Sequence, residues 1–174
     1  MTGAPYGRAF TRMAVVGLVA IASLVPSPAR AQAQIQGVSH VESSDAAAVQ
    51  AAVEHFLAVA GNLDVDALPA LLAPQATLNV ARFRDGRWTH TVQTRDEWVV
   101  ALRAQPASAR FREPLTNISV HVEDGQLAHL RAHFTIVIDG TVRSHGVDYV
   151  TLVNAGGGWT VANLSYTNLP GPPK

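Results

Sequence analysis

The stretch HGVDYVTLVNAGGGWTVANLSYT, residues 145–167, decides the fold. β-Branched and aromatic residues fill two runs of it, and the glycine-rich NAGGG separates them, which is typical of two strands joined by a turn. Two earlier runs after Pro106 have the same character. EDGQ separates these two runs from each other, and IDGT separates the second of them from the next strand. The second half of the chain is therefore predicted to be an antiparallel meander of four strands, with ATLNVARF, residues 76–83, as one earlier strand.

Three helices are predicted before the meander. The first is capped by Asp45 and ends at Gly61, and its apolar residues recur at three- and four-residue spacing. These apolar residues are Val49, Val53, Phe56, Leu57 and Ala60. A short second helix is predicted over residues 65–72, and a third follows Thr94, where Glu97 completes a capping box. Helices first and a continuous sheet afterwards indicate an α+β fold with the helices on one face of a curved sheet.

The N-terminus has the pattern of an export signal. Arg8 and Arg12 precede the apolar run from residue 13 to residue 25, and PSPARA supplies a small-x-small cleavage site. The alternative is a membrane anchor, but this run is short of the roughly 20 residues that a spanning helix needs. We expect residues 1–31 to be a signal peptide that is cleaved after Ala31, and the protein to be periplasmic or secreted.

Removing 31 of the 174 residues leaves 143, which is enough for one domain. We expect residues 32–44 to be a flexible lead-in, residues 45–168 to form the domain and residues 169–174 to be a flexible tail. The mature chain has ten basic and thirteen acidic residues, so it offers no electrostatic case for nucleic acid. The absence of cysteine excludes a disulfide, a thiolate zinc site and a cysteine nucleophile.

The segments HGVD, residues 145–148, and GGGW, residues 156–159, carry a family resemblance together with the order of elements. They resemble the nuclear transport factor 2-like (NTF2-like) superfamily, and within it the exported SnoaL-like branch, whose members are also described as proposed lumazine-binding proteins. The resemblance covers residues 46–167. It implies a cone of strongly curved antiparallel sheet that three N-terminal helices close around an apolar pocket. The superfamily holds isomerases, dehydratases, cyclases and members without chemistry, so the resemblance selects no reaction.

The turn at Asp139-Gly140 predicts the register of the meander. A two-residue hairpin there sets Arg131 opposite Asp148, which suggests a cross-strand ion pair on the outer side of the sheet. A bulge at Gly146 is the alternative, because glycine inside a strand often marks one. One extra residue would change which side chains share a face, and the sequence leaves this open.

The predicted register places four polar side chains on the helix-covered face, where we expect them to bind a ligand. They are Asn117, His145, Tyr149 and Asn163. His145 could act as a general base or donate to a ligand carbonyl, and Tyr149 could polarise the same carbonyl. The alternative is structural: a histidine bound to a neighbour, and a tyrosine that packs its ring.

Two functions remain open from the sequence. The first is an exported SnoaL-like protein that binds a small, largely apolar or heteroaromatic molecule. The second is a cofactor-independent isomerase, dehydratase or cyclase with His145 as base and Tyr149 as its partner. No cofactor and no metal are expected. A zinc site at HLRAH is rejected because its two histidines lie about 13 Å apart in a strand. Ala162, Leu164 and Tyr166 give the last strand a second apolar side, which predicts a homodimer.

Overall fold

The computed structural model describes the backbone of residues 28–174 and the side chains from residue 44 onward. Within this range the helices are α1 Pro28–Gly61, α2 Leu68–Leu71 and α3 Arg95–Arg103, with a 3-10 turn at Ala107–Ala109. The strands are β1 Leu72–Arg84, β2 Arg87–Thr94, β3 Leu115–Glu123, β4 Leu127–Ile138, β5 Thr141–Asn154 and β6 Trp159–Pro170. Residues 1–27 of the predicted signal peptide lie outside the described chain, so export stays a prediction. None of the described helices is long and apolar enough to cross a membrane.

The described strands form one sheet in the order β2-β1-β6-β5-β4-β3, and the α+β prediction is confirmed. Every neighbouring pair is antiparallel except β1 and β6, which are parallel, so the sheet is mixed rather than purely antiparallel. The parallel pair needs a crossover, and the chain from β2 to β5 supplies it. Sequence analysis missed β2, because this edge strand is exposed along nearly its whole length and shows no buried alternation.

The core lies between α1 and the face of the sheet that the helices cover. All five apolar residues predicted for the first helix are at most 5% exposed. They pack against buried side chains of the sheet, of which the largest are Leu130, Val150, Leu152 and Val161. The third helix was predicted correctly, because Thr94 and Glu97 form the expected capping box. Helices and sheet are thus held together by one continuous apolar layer.

The ends of the domain differ from the predicted ones. The backbone of α1 begins at Pro28, so the segment predicted as a flexible lead-in is helical and Asp45 lies inside the helix instead of capping it. Residues 29–36 are rich in alanine and glutamine, which favour helix. At the other end the Gly171 amide donates to the Arg143 carbonyl oxygen at 2.8 Å. The chain is therefore held to β5 three residues beyond the predicted domain end.

The register of β4 and β5 agrees with the prediction only beside the turn. Asp139 and Gly140 have φ values of 49° and 74°, as a two-residue hairpin turn requires. Arg143 is then an extra residue, because the pairing shifts by one there. The pairs on either side are Val137 with Val142 and Ile136 with Ser144. Beyond this bulge Arg131 faces Tyr149 and not Asp148, so the predicted ion pair is wrong.

The bulge exchanges the faces of β5, because a shift of one residue moves every following side chain to the other side of a sheet. Gly146, Asp148, Val150 and Leu152 are buried on the helix-covered face. Tyr149 is 54% exposed on the opposite face, which we call the outer face. The extra residue is therefore Arg143 and not Gly146. It exchanges the two faces of β5 but leaves His145 and Asp148 on opposite faces, so the regrouping considered for a bulge at Gly146 does not occur.

The two neighbouring strand pairs are also displaced by one residue. Trp159 faces Asn154 instead of Val153, and the pairing of β5 with β6 shifts again at Ala162. β3 carries a third irregularity between Thr116 and Ser119. As a result Leu164 and Tyr166 face the helices, whereas they were predicted to form a second apolar side.

Gly146 should be intolerant of any side chain, since a methyl group there would overlap the Thr167 carbonyl group and lie 2.8 Å from Cε1 of Phe134. We expect Gly146→Ala to lower the free energy of unfolding by about 3 kcal/mol through overpacking. Gly157→Ala is the matched control, because a methyl group at Gly157 meets nothing within 4 Å. Urea unfolding of both variants checks this, and equal stabilities would contradict the close approach of β5 and β6.

Candidate functional site

A cavity of about 350 Å³ opens between the helices and the curved sheet. We call it the cone. Its lining is mainly apolar and includes Phe56, Trp98, Phe111, Phe134, Ile136 and Leu164. Phe56 and Trp98 stack with ring centroids 5.7 Å apart, which fixes one wall between α1 and α3. The volume lies at the low end of the range for small-molecule pockets, so the cone suits a molecule of one or two rings.

Two carboxyl groups meet inside the cone. Asp148 comes from β5 and is 1% exposed, and Glu113 comes from the segment that leads into β3. Neither carboxylate oxygen of Asp148 has a hydrogen-bond donor among the described residues while both acids are ionised. Glu113 lies close enough that a proton on either acid makes a hydrogen bond to the other. The two acids are therefore a pair that shares a proton.

The apolar surroundings raise the pKa values of both acids. Burial raises the pKa of Asp148 from 3.8 to about 7, although the hydrogen bond with Glu113 opposes part of the rise. Burial also holds the pKa of Glu113 well above its usual value, and repulsion by the Asp148 carboxylate adds to this. The pair thus carries a proton that it can lose and regain near neutral pH.

A tyrosine and a partly buried arginine line the cone together with the acid pair. Tyr166 of β6 packs its ring edge-on against Phe134, with centroids 6.1 Å apart. Burial raises the pKa of the Tyr166 hydroxyl, with the nearby Arg82 guanidinium opposing part of the rise, so the hydroxyl keeps its proton at neutral pH. The Arg82 Nε is buried and has no hydrogen-bond partner among the described residues. Both groups can therefore donate to an oxygen atom of a bound molecule.

The four predicted site residues lie outside the cone, so their predicted placement is wrong. His145 and Tyr149 point to the outer face, and the His145 Nδ1 lies 2.8 Å from the Gly171 carbonyl oxygen. Asn163 donates to the Thr77 hydroxyl at 2.9 Å. Asn117 is exposed at the irregularity of β3, with a φ of 51°. The physical reason is the shifted register, which exchanged the two faces of the meander.

Arg131 finds other partners than the predicted Asp148. Its guanidinium lies 5.8 Å from the centre of the Tyr149 ring, and its Nη2 lies 3.1 Å from the Nε2 of His133. His129 instead contacts the Thr151 hydroxyl at 3.2 Å. The part of the chain with described side chains holds no group of three or more His, Asp or Glu residues that could bind a metal ion.

Sequence analysis missed the residues that do line the cone. Asp148 was noticed but assigned to the outer face, and Tyr166 was assigned there with it. Glu113 lies in FREPL, a segment without periodicity, so its sequence gives no signal of burial. The one available signal was Gly146. A glycine inside a strand often marks a face that a neighbouring segment approaches closely, and Asp148, two residues on, shares that face.

Comparison with known proteins agrees with this fold. The model of the SnoaL-like domain family matches residues 41–165. No curated protein gives a significant match to the chain.

Three solved structures from Novosphingobium aromaticivorans have similar folds. An NTF2-like protein with a cystatin-like fold is 16% identical, with a TM-score of 0.57 over 82% of this chain and 90% of its own. The beta subunit of a proposed aromatic-ring-hydroxylating dioxygenase is 15% identical, with a TM-score of 0.57 over 79% and 94%. A proposed scytalone dehydratase is 13% identical, with a TM-score of 0.53 over 70% and 81%. These likenesses confirm the predicted NTF2-like fold and no more than the fold.

Asp148 should make stability depend on pH. Its folded pKa of about 7 exceeds the ordinary 3.8, so between these pH values the folded chain keeps a proton that the unfolded chain releases. The free energy of unfolding should therefore fall as the pH rises through this window, by on the order of a few kcal/mol. In Asp148→Asn this fall should be smaller.

Urea unfolding followed by circular dichroism from pH 4 to pH 8 measures the difference. Asp139→Asn is the control, because Asp139 lies in the exposed turn between β4 and β5 and asparagine tolerates its positive φ. The pH dependence of the control should match that of the wild type. Identical pH dependences in wild type and Asp148→Asn would show that Asp148 is not buried as a protonated acid.

Proposed function

We propose that this chain, which belongs to the SnoaL-like domain family, is a cofactor-independent enzyme that moves protons on a small, largely apolar molecule in its cone. The observation that carries the proposal is the buried acid pair of Asp148 and Glu113. Carboxyl groups in an apolar cavity cost folding free energy unless other groups satisfy them. A pocket that only held an apolar molecule would be more stable without them.

The protonation state of the pair suits general acid–base catalysis. A catalytic base works best when its pKa lies near the working pH, and the pKa of Asp148 is raised to about 7. Shifts of this size from burial are typical of functional sites. Asp148 is therefore the base of this proposal, in place of His145, which points to the outer face.

Three polar groups of the cone have a role in this proton transfer. Ionised Asp148 takes a proton from a carbon next to a carbonyl group, and the electrons of that C–H bond form a carbon–carbon double bond. The carbonyl electrons move onto oxygen, where the neutral Tyr166 hydroxyl donates a hydrogen bond to the developing negative charge. Asp148 then returns its proton to another carbon, and Glu113 steadies the proton between the two steps. Isomerisation, dehydration and cyclisation of carbonyl compounds can each begin with this proton transfer.

The binding-only function is the weaker candidate. The fold itself does not decide, because a proposed dehydratase and a dioxygenase subunit both share it. The cone would hold a small apolar molecule in either case. Of the two candidate functions, only catalysis uses the acid pair.

Deuterium exchange tests the proton transfer without knowledge of the natural substrate. We expect the wild type to exchange the α-hydrogens of 2-tetralone in D2O faster than buffer does, as followed by proton NMR. Asp148→Asn should lose about 100-fold or more of this acceleration, because it removes the base. Asp139→Asn should keep it. If wild type and Asp148→Asn exchange equally fast, the assignment of the base is wrong.

We infer in addition that the outer face packs against a second copy of the chain. The earlier argument from Leu164 no longer holds, because Leu164 faces the helices. Large apolar side chains are nevertheless exposed on the outer face, namely Trp88 at 47%, Val92 at 69% and Tyr149 at 54%. Val92 and Tyr149 line one shallow groove across β1 and β6, so a flat partner surface could cover them together.

Native mass spectrometry of the chain expressed from residue 1 tests this interface. Val92→Lys should yield monomers at a concentration at which the wild type is dimeric, because the lysine charge would be buried without a partner. Val100→Lys is the matched control, since Val100 is 67% exposed but lies on α3. A monomeric wild type would refute the interface. The same spectra give the mass of the purified chain, and a mass that still includes residues 1–31 would refute the predicted cleavage.

A further inference from the structure

Three arginines line the cone together with the acid pair. Arg82 and Arg84 lie at the end of β1, and Arg143 is the extra residue of the β5 bulge. Among the residues whose side chains are described, no carboxylate lies within 4.0 Å of a nitrogen atom of these three guanidiniums. Arg103, by contrast, is paired with Asp66 at 2.6 Å. The cone therefore holds positive charge that no carboxylate among the described side chains neutralises by an ion pair.

The charges of the lining favour an anion. The titratable groups that face the cavity are the three arginines, the two acids and Tyr166, whose hydroxyl is neutral. With one proton shared between Asp148 and Glu113, three positive charges stand against one negative charge. A neutral ligand would make no use of this excess positive charge, whereas the cone would attract an anion.

The positions of the charges give the cone a direction. Arg84 and Arg143 are exposed, so they lie at the mouth, whereas Asp148 is buried at depth. Arg82 lies between them, partly buried and beside Tyr166, with an Nε that lacks a partner. A molecule with an anionic group at one end and a reactive carbon at the other would match this arrangement. The anionic group would lie at the mouth, away from the negative charge of the acid pair.

We infer that the substrate of the cone is a carboxylic acid of one or two rings, held by its carboxylate at Arg84 and Arg143. The inference deepens the proposed function, since it rests on the cone being the site of proton transfer. A guanidinium binds the two oxygens of a carboxylate through parallel hydrogen bonds. A carboxylate is preferred to a phosphate ester because the planar carboxylate takes less room than a tetrahedral phosphate in a cavity of about 350 Å³.

Isothermal titration calorimetry with three probes of one skeleton tests the inference at pH 7. The probes are 2-naphthoate, its neutral counterpart 2-naphthamide and 2-naphthyl phosphate. We expect 2-naphthoate to bind about 10-fold or more tightly than 2-naphthamide, and this preference to weaken as salt is added. The phosphate should bind more weakly than the carboxylate.

Arg84→Gln and Arg87→Gln form a matched pair of variants. The two arginines face each other across the β1–β2 hairpin and carry equal charge, but only Arg84 lines the cone. Arg84→Gln and Arg143→Gln should each reduce the preference for 2-naphthoate about 5-fold, whereas Arg87→Gln should leave it unchanged. All three replaced side chains are exposed, so folding should be retained.

The carboxylate inference can be overturned while the proposed function still holds. If 2-naphthoate binds no better than 2-naphthamide, or does not bind, the carboxylate inference is overturned. Equal losses in Arg84→Gln and Arg87→Gln would overturn it too, and tighter binding of the phosphate would overturn the choice of carboxylate. Deuterium exchange of the neutral ketone 2-tetralone depends on Asp148 and not on these arginines, so it reports on the base whatever the titrations give.

Discussion

The alternation of β5 after Arg143 is the constraint on which the site depends. A strand can bury only every second side chain, so the single extra residue decides whether the even- or odd-numbered set faces the helices. In this chain the buried set contains Gly146, Asp148, Val150 and Leu152. Val150 and Leu152 complete the core against α1, and they bring Asp148 with them into the cone. The apolar residues therefore supply the free energy that keeps an acid in an apolar place.

Gly146 has a different part in the same arrangement. Because it has no side chain, the Thr167 backbone and the Phe134 ring can approach β5 closely at this point. The Val147 amide donates to the Thr167 hydroxyl at 3.0 Å, which holds β6 against β5 beside the glycine. Phe134 in turn supports the ring of Tyr166. The orientation of the proposed oxyanion donor thus depends on a residue that never contacts a ligand.

The order of the elements could be predicted from the sequence, because local patterns determine it. The spacing of apolar residues gave the buried face of α1, and the Thr94 and Glu97 pair gave the start of α3. Two Asp-Gly turns and the glycine-rich NAGGG gave the last four strands. The edge strand β2 could not be found, since exposed strands show no alternation of burial. The parallel pairing of β1 with β6 was equally hidden, because it joins segments far apart in the chain.

The candidate site could not be predicted because it depends on register. The two faces of β5 are almost equally apolar: one carries Gly146, Asp148 and Val150, and the other carries His145, Val147 and Tyr149. Hydrophobicity therefore does not choose between them, and a hairpin register counted from the turn is lost at the first bulge. Glu113 joins Asp148 only through tertiary structure. Histidine and tyrosine attracted attention as reactive residue types, whereas the acid pair becomes reactive only through burial.

The acid pair and the arginines gain from being in one cavity. Without Arg82, Arg84 and Arg143, the negative charge of the acid pair would repel an incoming anion. Without the acid pair, the arginines would bind an anion but could move no proton. The apolar walls keep water from screening the buried Asp148, so its charge acts on a bound molecule more strongly than it would at the surface. The proposed anion site at the mouth and the proposed base at depth lie in one cavity because one bulge sets Arg143 and Asp148 on the same side of the sheet.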